Sequence, residues 1–224
     1  MTILAIDTCA NLCAAAVFDD EGGLRSRSSD DIGRGHAARL LGIVEEALGA
    51  AGAALDDLTK VIVTVGPGSF TGIRVGVSAA RGYGIALGIP VDGITTFALL
   101  NVEGRQRLAE DDATFVAISG GRGQIFAQRF GSDAAPLGGP FVIAQDQEYL
   151  PSLSRTEHLI GNAGSLVAHD NHQGVLLGDR ATGDISGAYR AAQSGTFAPE
   201  PLYIRDADAK PQNSFALPRK SVLT

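Results

Sequence analysis

The sequence predicts an α/β protein assembled from two similar halves, and three stretches carry that prediction. Residues 61–88 read as a buried strand, a glycine-rich turn and a long helix; residues 3–29 read as an antiparallel meander; and the chain from Thr114 onward opens again with strand, turn and strand.

The central stretch is VIVTVGPGSFTGIRVGVSAARGYGIALG. Val61 to Val65 is a β-branched apolar run of the kind buried on both faces of a parallel sheet. Gly66-Pro67-Gly68-Ser69 forms the turn, and a helical pattern runs from Phe70 to Leu87, stopped by Gly88 and Pro90. Gly72, Gly76, Ala80 and Gly84 recur every four positions and share one helix face. An interior glycine costs about 1 kcal/mol relative to alanine, so this face reads as a seam where another backbone comes close. The backbone is either that of the protein's own sheet or that of a second chain.

The turn also has the form of an anion site, a glycine loop feeding a helix N-terminus. It departs from the known phosphate fingerprints. Gly72 is followed by Ile73 and Arg74 instead of Lys-Ser/Thr, the glycine spacing misses the dinucleotide pattern, and Pro67 stands where a nucleophile elbow needs glycine. A purely structural strand-to-helix turn is the competing reading.

In chain order, Ile3–Thr8, Leu12–Asp19 and Leu24–Ser29 form the meander, the last two joined across Asp19–Gly23. His36–Ala51 reads as a helix with Leu40, Leu41, Val44 and Leu48 at helical spacing, and Ile43 and Ala47 widen its apolar arc. Pro90–Ile94 is extended, and Thr95–Arg107 reads as a helix next to a division between the halves. The second half offers strands at Thr114–Ile118, Gln124–Phe130, Phe141–Ala144 and His158–Ile160, a glycine turn at Ser119–Gly123, and weaker helices at Ser165–Asp170 and Asp184–Gln193. Residues 1–104 and 105–205 are the expected halves. Residues 206–224 form an expected extended tail, since Pro199, Pro201, Pro211 and Pro218 oppose helix.

Composition narrows the function classes. A net charge of −7 without a basic run argues against tight nucleic-acid binding by this chain alone. Cys9 and Cys13 cannot make a disulfide framework, and with no further clustered ligands they leave a zinc half-coordinated. No signal peptide or membrane span is read, so the expected compartment is the cytoplasm. Asp7, ending the first strand before Thr8, is the one carboxylate placed to face a metal-bound phosphate; capping a turn is its structural alternative. His169 and His172 could share a helix face, and His36 stands alone. No convincing catalytic constellation is legible.

Four segments together resemble the bacterial TsaB (YeaZ) family: ILAIDT (3–8), GHAARLL (35–41), VGPGSFTGIRVGVSAARGYGIALGIP (65–90) and PLYIR (201–205). The likeness is strongest over residues 1–100. It implies an actin-like, sugar-kinase-like fold of two α/β halves, each opening with an antiparallel meander. It also implies a non-catalytic partner of TsaD, the larger paralogue that makes threonylcarbamoyladenosine on tRNA. That paralogue holds its metal through two histidines spaced H-x-x-x-H, and the matching positions here are Thr96 and Leu100, so no metal is expected. By the same resemblance the partners are TsaD as a heterodimer, the TsaE ATPase through the complex, and a second copy when alone. No cofactor is expected to bind tightly; ATP or ADP would occupy a weak or shared site formed by Asp7, Thr8, Gly66, Gly68, Ser69 and Thr71. The expected partner surface comprises His36, Leu40, Leu41, Val44, Leu48, Gly72, Gly76, Ala80 and Gly84. Ser119-Gly120-Gly121-Arg122-Gly123 replaces the Asp-Ala-Arg of many members, so no ligand role is carried to that turn. The alternative reading is a stand-alone enzyme, a kinase-like ATPase or an M22-type peptidase.

Overall fold

A computed structural model of the protein describes residues 1–108, 112–121, 123–144, 157–168 and 173–204. Strands β1 (Thr2–Asp7), β2 (Leu12–Asp19), β3 (Leu24–Asp31), β4 (Leu58–Thr64) and β5 (Val91–Ile94) make one five-stranded sheet, ordered β3-β2-β1-β4-β5. A second is built from β6 (Thr114–Gly121), β7 (Gln124–Phe130), β8 (Phe141–Ala144), β9 (His158–Ile160) and β10 (Leu176–Leu177), ordered β8-β7-β6-β9-β10. The two orders are the same pattern. In each, three strands pair antiparallel and the two later strands join parallel to the first. The repeat suggested by the sequence is therefore a repeat of topology.

β1 is buried throughout because both of its faces meet apolar layers. Leu4 and Ile6 point to a core shared with α1 (His36–Ala51) and α2 (Phe70–Leu87), while Ile3 and Ala5 point to the opposite core. Helix α3 (Thr96–Arg105) has no solvent stripe from Thr96 to Val102. Its Ala98, Leu99 and Val102 pack on the first sheet, whereas Phe97 and Leu100 pack with Val116, Ile118, Phe126 and Phe130 of the second. A helix serving two cores needs apolar residues all round, which is what TFALLNV supplies. The one-turn α4 (Gly164–Val167) covers β9 and β10. The last helix, α5 (Ala188–Gln193), returns to the first sheet and places Ala188 and Ala191 in its second core.

Some expectations shift. β6 continues to Gly121 through the residues read as a turn, paired to β7 across an irregularity after Ser119. The 184–193 helix divides into a 3-10 turn, Ile185–Gly187, and α5, with Asp184 accepting from the Ser186 N–H. β10 was not anticipated, since two residues carry no period. The His169/His172 pair, Arg122 and the 206–224 tail lie outside the described residues. Phe197 and Gly93 exchange backbone hydrogen bonds at 2.8 Å, and the Leu202 N–H donates to Val65 O at 2.8 Å, so the end of the described chain runs beside β5 and the start of the glycine turn. No helix among the described residues is long and apolar enough to cross a membrane.

Candidate functional site

The candidate anion site sits where β1 ends and α2 begins. Asp7 is 1% exposed. Its Oδ1 accepts the Cys9 N–H at 2.9 Å and its Oδ2 accepts the Thr182 hydroxyl at 2.5 Å. Burial raises the carboxyl above its ordinary value, and these hydrogen bonds oppose that shift without cancelling it. Beside it, the Cys9 thiol donates to Thr64 O at 3.3 Å and is pushed well up by desolvation and then by the Asp7 charge. Burial pushes Cys13 up to about 11. Both cysteines are free thiols, and neither carries thiolate character at neutral pH.

The glycine turn lies down on this strand end. The Ser69 N–H donates to Cys9 O at 2.7 Å, and the Thr8 hydroxyl donates to Gly72 O at 2.7 Å. From the other side Thr96 donates its N–H to Gly66 O and its hydroxyl to Pro67 O, each at 2.8 Å. The Ser69 hydroxyl caps α2 by accepting the Gly72 N–H at 3.3 Å. A Cβ at Gly68 or Gly72 would stand closer than 3.0 Å to the backbone of Cys9 or Thr8, so glycine is required here for close approach of the chain to itself. Of the residues expected to hold an anion, Gly68, Ser69 and Thr71 reach solvent, while Asp7, Thr8 and Gly66 are buried and bonded internally. An oxyanion could rest over the mouth of α2. Asp7 is turned inward, with one oxygen on the Cys9 N–H and the other on the Thr182 hydroxyl.

The expected partner surface needs correction. Gly76 faces Thr8, with its Cβ position 2.5 Å from Oγ1, and Gly84 faces Val91 at 2.5 Å; with Gly72 and the fully buried Ala80, the small-residue ladder lies on its own sheet. His36, Leu40, Val44 and Leu48 are likewise buried. The wide apolar arc of α1 is taken up inside the core it shares with the first sheet. Of the expected surface Leu41 is exposed, at 59%; α1 and α2 also expose Ile85 at 83% and Phe70 at 56%, along with the small Ala37, Ala38, Gly49, Ser78, Gly82 and Ala86.

One cluster went unread. Arg74 lies over the Phe70 ring at 3.7 Å, and its Nε donates to the Tyr203 hydroxyl at 2.8 Å. The two rings are 5.3 Å apart. The segments SFTGIR and PLYIR, far apart in sequence, therefore meet in space. Thr96 and Leu100, the positions matching a metal-binding pair, are occupied structurally: Thr96 clamps the turn and Leu100 fills the second core. Among the described residues no group of three or more His, Cys, Asp or Glu side chains is gathered to hold a metal.

These features define a class first: a duplicated, two-sheet α/β protein whose glycine turn is packed against the end of the first strand and its buried aspartate. Comparison with known proteins then narrows it. The family TsaD, tRNA N6-adenosine threonylcarbamoyltransferase, matches residues 28–150. The TsaB tRNA threonylcarbamoyladenosine biosynthesis protein of Escherichia coli is 30% identical over 133 residues, 59% of this chain and 56% of that protein. An uncharacterized protein of Mycobacterium bovis is 35% identical over 155 residues, 68% of this chain and 70% of the relative. The solved structure of YeaZ from Pseudomonas aeruginosa superposes with a TM-score of 0.74 at 22% identity, covering 90% of this chain and 99% of that one. The chain belongs to the TsaB/YeaZ family and shares the two-sheet α/β fold of the solved YeaZ structure. The E. coli match spans little more than half of that relative's length.

Proposed function

We propose that this chain is a non-catalytic subunit in the threonylcarbamoyladenosine modification of tRNA, binding a TsaD transferase and pairing with itself when alone. The observation that carries this reading is the outer side of α1 and α2. Two helices side by side on one sheet present Leu41, Phe70 and Ile85 among alanine, glycine and serine, with Glu45 on α1 and Arg81 on α2 exposed alongside. Apolar side chains exposed on two adjacent helices, with both charges alongside, suit a helix pair from another subunit. Because one patch serves both complexes, the transferase competes with self-association. A TsaE-type ATPase would join through that complex, and ATP or ADP would bind weakly, at the mouth of α2. The family name of the relatives supports the pathway, and the internal bonding of Asp7 supports a role without chemistry of its own.

Co-purification with the cognate transferase, read by size-exclusion light scattering, tests the proposal. Ile85→Asp should abolish both the homodimer and the heterodimer with unchanged circular dichroism. A folded Ile85→Asp variant that still forms both complexes would remove this face. Substrate turnover by the isolated chain would overturn the non-catalytic role.

A further inference from the structure

The face of the first sheet opposite α1 and α2 holds a groove that takes no part in the α2 mouth. Its first chamber, about 340 Å³, lies between the β2–β3 turn, the end of α3 and α5, and its lining includes Glu21, Gly22, Gln106, Tyr189, Arg190 and Gln193. A second chamber of about 250 Å³ has Arg27, Glu103, Arg107 and Asp184 in its lining. Gln106, Ser186 and Gly187 line both, so the two chambers adjoin across a shared wall. The surroundings are firmly seated. A Cβ at Gly22 would stand closer than 3.0 Å to the Tyr189 ring, and the Tyr189 hydroxyl donates to Asp20 O at 3.3 Å, which fixes α5 on the turn. Ala188 and Ala191 of the same helix are buried in one core with Phe18 and Val102.

The polar groups of the groove divide into those already committed and those left open. Asp184 accepts the Ser186 N–H at 2.9 Å on one oxygen and the Arg27 guanidinium on the other. Glu103 accepts the Asp184 N–H at 2.7 Å through Oε2, and its Oε1 faces Arg180 at 3.6 Å. The carbonyls of Glu103, Gly104 and Arg105, at the end of α3, are taken by the N–H groups of Gln106, Arg107 and Leu108. The negative groups of the second chamber are therefore satisfied. Its Arg107, and Arg190 in the first chamber, are exposed and make neither an ion pair nor a side-chain hydrogen bond among the described residues. The Gln106 and Gln193 carboxamides are unbonded among the same residues, and Gln193 stands one turn after Arg190 on α5. The Glu21 side chain, on the turn beside the first chamber, is likewise unpaired.

We infer that this groove binds a small dicarboxylate, one carboxylate held by Arg107 and the other by Arg190, with the Gln106 carboxamide and the Ser186 hydroxyl between them. A guanidinium offers a carboxylate two parallel donors. One open guanidinium in each of two adjoining chambers therefore calls for a ligand with two anionic ends. Glu21 adds a place for an ammonium group, so the ligand is either a plain dicarboxylate or an amino dicarboxylate. The groove lies across the sheet from Leu41, Phe70 and Ile85 and does not depend on the proposed role in tRNA modification.

The test is a titration of the full, isotope-labelled chain with the sodium salts of glutarate, L-glutamate and, as a single-ended control, butyrate, at constant ionic strength and read by amide resonances. The Gln106 and Gln193 side-chain amides and the Ser186 and Gly187 backbone amides should shift saturably with glutarate. Butyrate should bind more weakly by about fivefold or more, the loss of one charge-assisted contact. Arg107→Ala and Arg190→Ala, both at exposed positions, should each weaken glutarate by a similar factor with unchanged circular dichroism. Tighter binding of glutamate than of glutarate supports the groove with an ammonium on Glu21; equal or weaker binding supports it with a plain dicarboxylate. Linear, non-saturating shifts, butyrate as tight as glutarate, or an unchanged Kd in either variant would overturn the inference.

Discussion

Alanine at Gly72 and alanine at Gly82 should move stability in opposite directions. Both are interior positions of α2, where replacing glycine by alanine in a free helix gains about 1 kcal/mol. Gly82 is exposed with nothing within 4 Å of its Cβ position, so Gly82→Ala should realise most of that gain, raising Tm by roughly 2–4 °C in a chain of this size. At Gly72 the added carbon would meet Thr8 O closer than 3.0 Å, and backbone, not a side chain, must yield. Overpacking of that kind costs about 1–3 kcal/mol, and displacing α2 also strains the 2.7 Å bond from the Thr8 hydroxyl to Gly72 O, worth about 1 kcal/mol. After the helix-propensity gain, Gly72→Ala should lose about 1–3 kcal/mol, a Tm lower by roughly 2–12 °C. Differential scanning calorimetry of the two variants decides it. If Gly72→Ala is as stabilising as Gly82→Ala, the ladder does not face its own sheet, and the assignment of α2's inner face fails.

Asp7→Asn should stabilise the protein increasingly as pH rises. The folded carboxyl titrates above its ordinary 3.8, so its contribution is fully present below that value and is lost as pH climbs through the folded pKa. Asparagine does not ionise, and urea midpoints from pH 4 to 8 should diverge upward; a gap that narrows with pH would contradict the burial argument. Val44→Asp places an unpaired charge in the core between α1 and the first sheet; it should cost more than about 4 kcal/mol and unfold the chain instead of merely separating subunits. Phe97→Ala removes a fully buried ring from the core that α3 shares with the second sheet, and chemical denaturation should show a loss of about 3–5 kcal/mol.

The long periodic elements were legible because period and burial agree in them: α1, α2, β2, β7 and β8 have the limits their patterns predict. Tertiary context decided the rest. β10 is held by two backbone pairings to β9, and such pairings leave no mark on composition. The direction of the Gly72–Gly84 ladder could not be read from spacing, since a partner helix and the protein's own β1 and β5 both demand small residues at intervals of four. Thr182 could not have been assigned to Asp7, because a single hydroxyl far downstream in the sequence has no motif. The Arg74–Tyr203 contact was half visible: both segments stood out as sequence, but only the folded chain brings them together.

The backbone exchange between Phe197 and Gly93 bears on how the chain is made. β5 is the edge of the first sheet, and residues 197–202 run along it and along the start of the glycine turn. Nearly everything else in that sheet is synthesised before residue 95. Until the ribosome has delivered the final described segment, the first half therefore waits with an open strand edge and without α5 on its second face. An unpaired edge is a template for pairing with other chains. Ribosome-bound or truncated products ending before Phe197 should therefore aggregate, while chains that extend past Leu202 close their own edge.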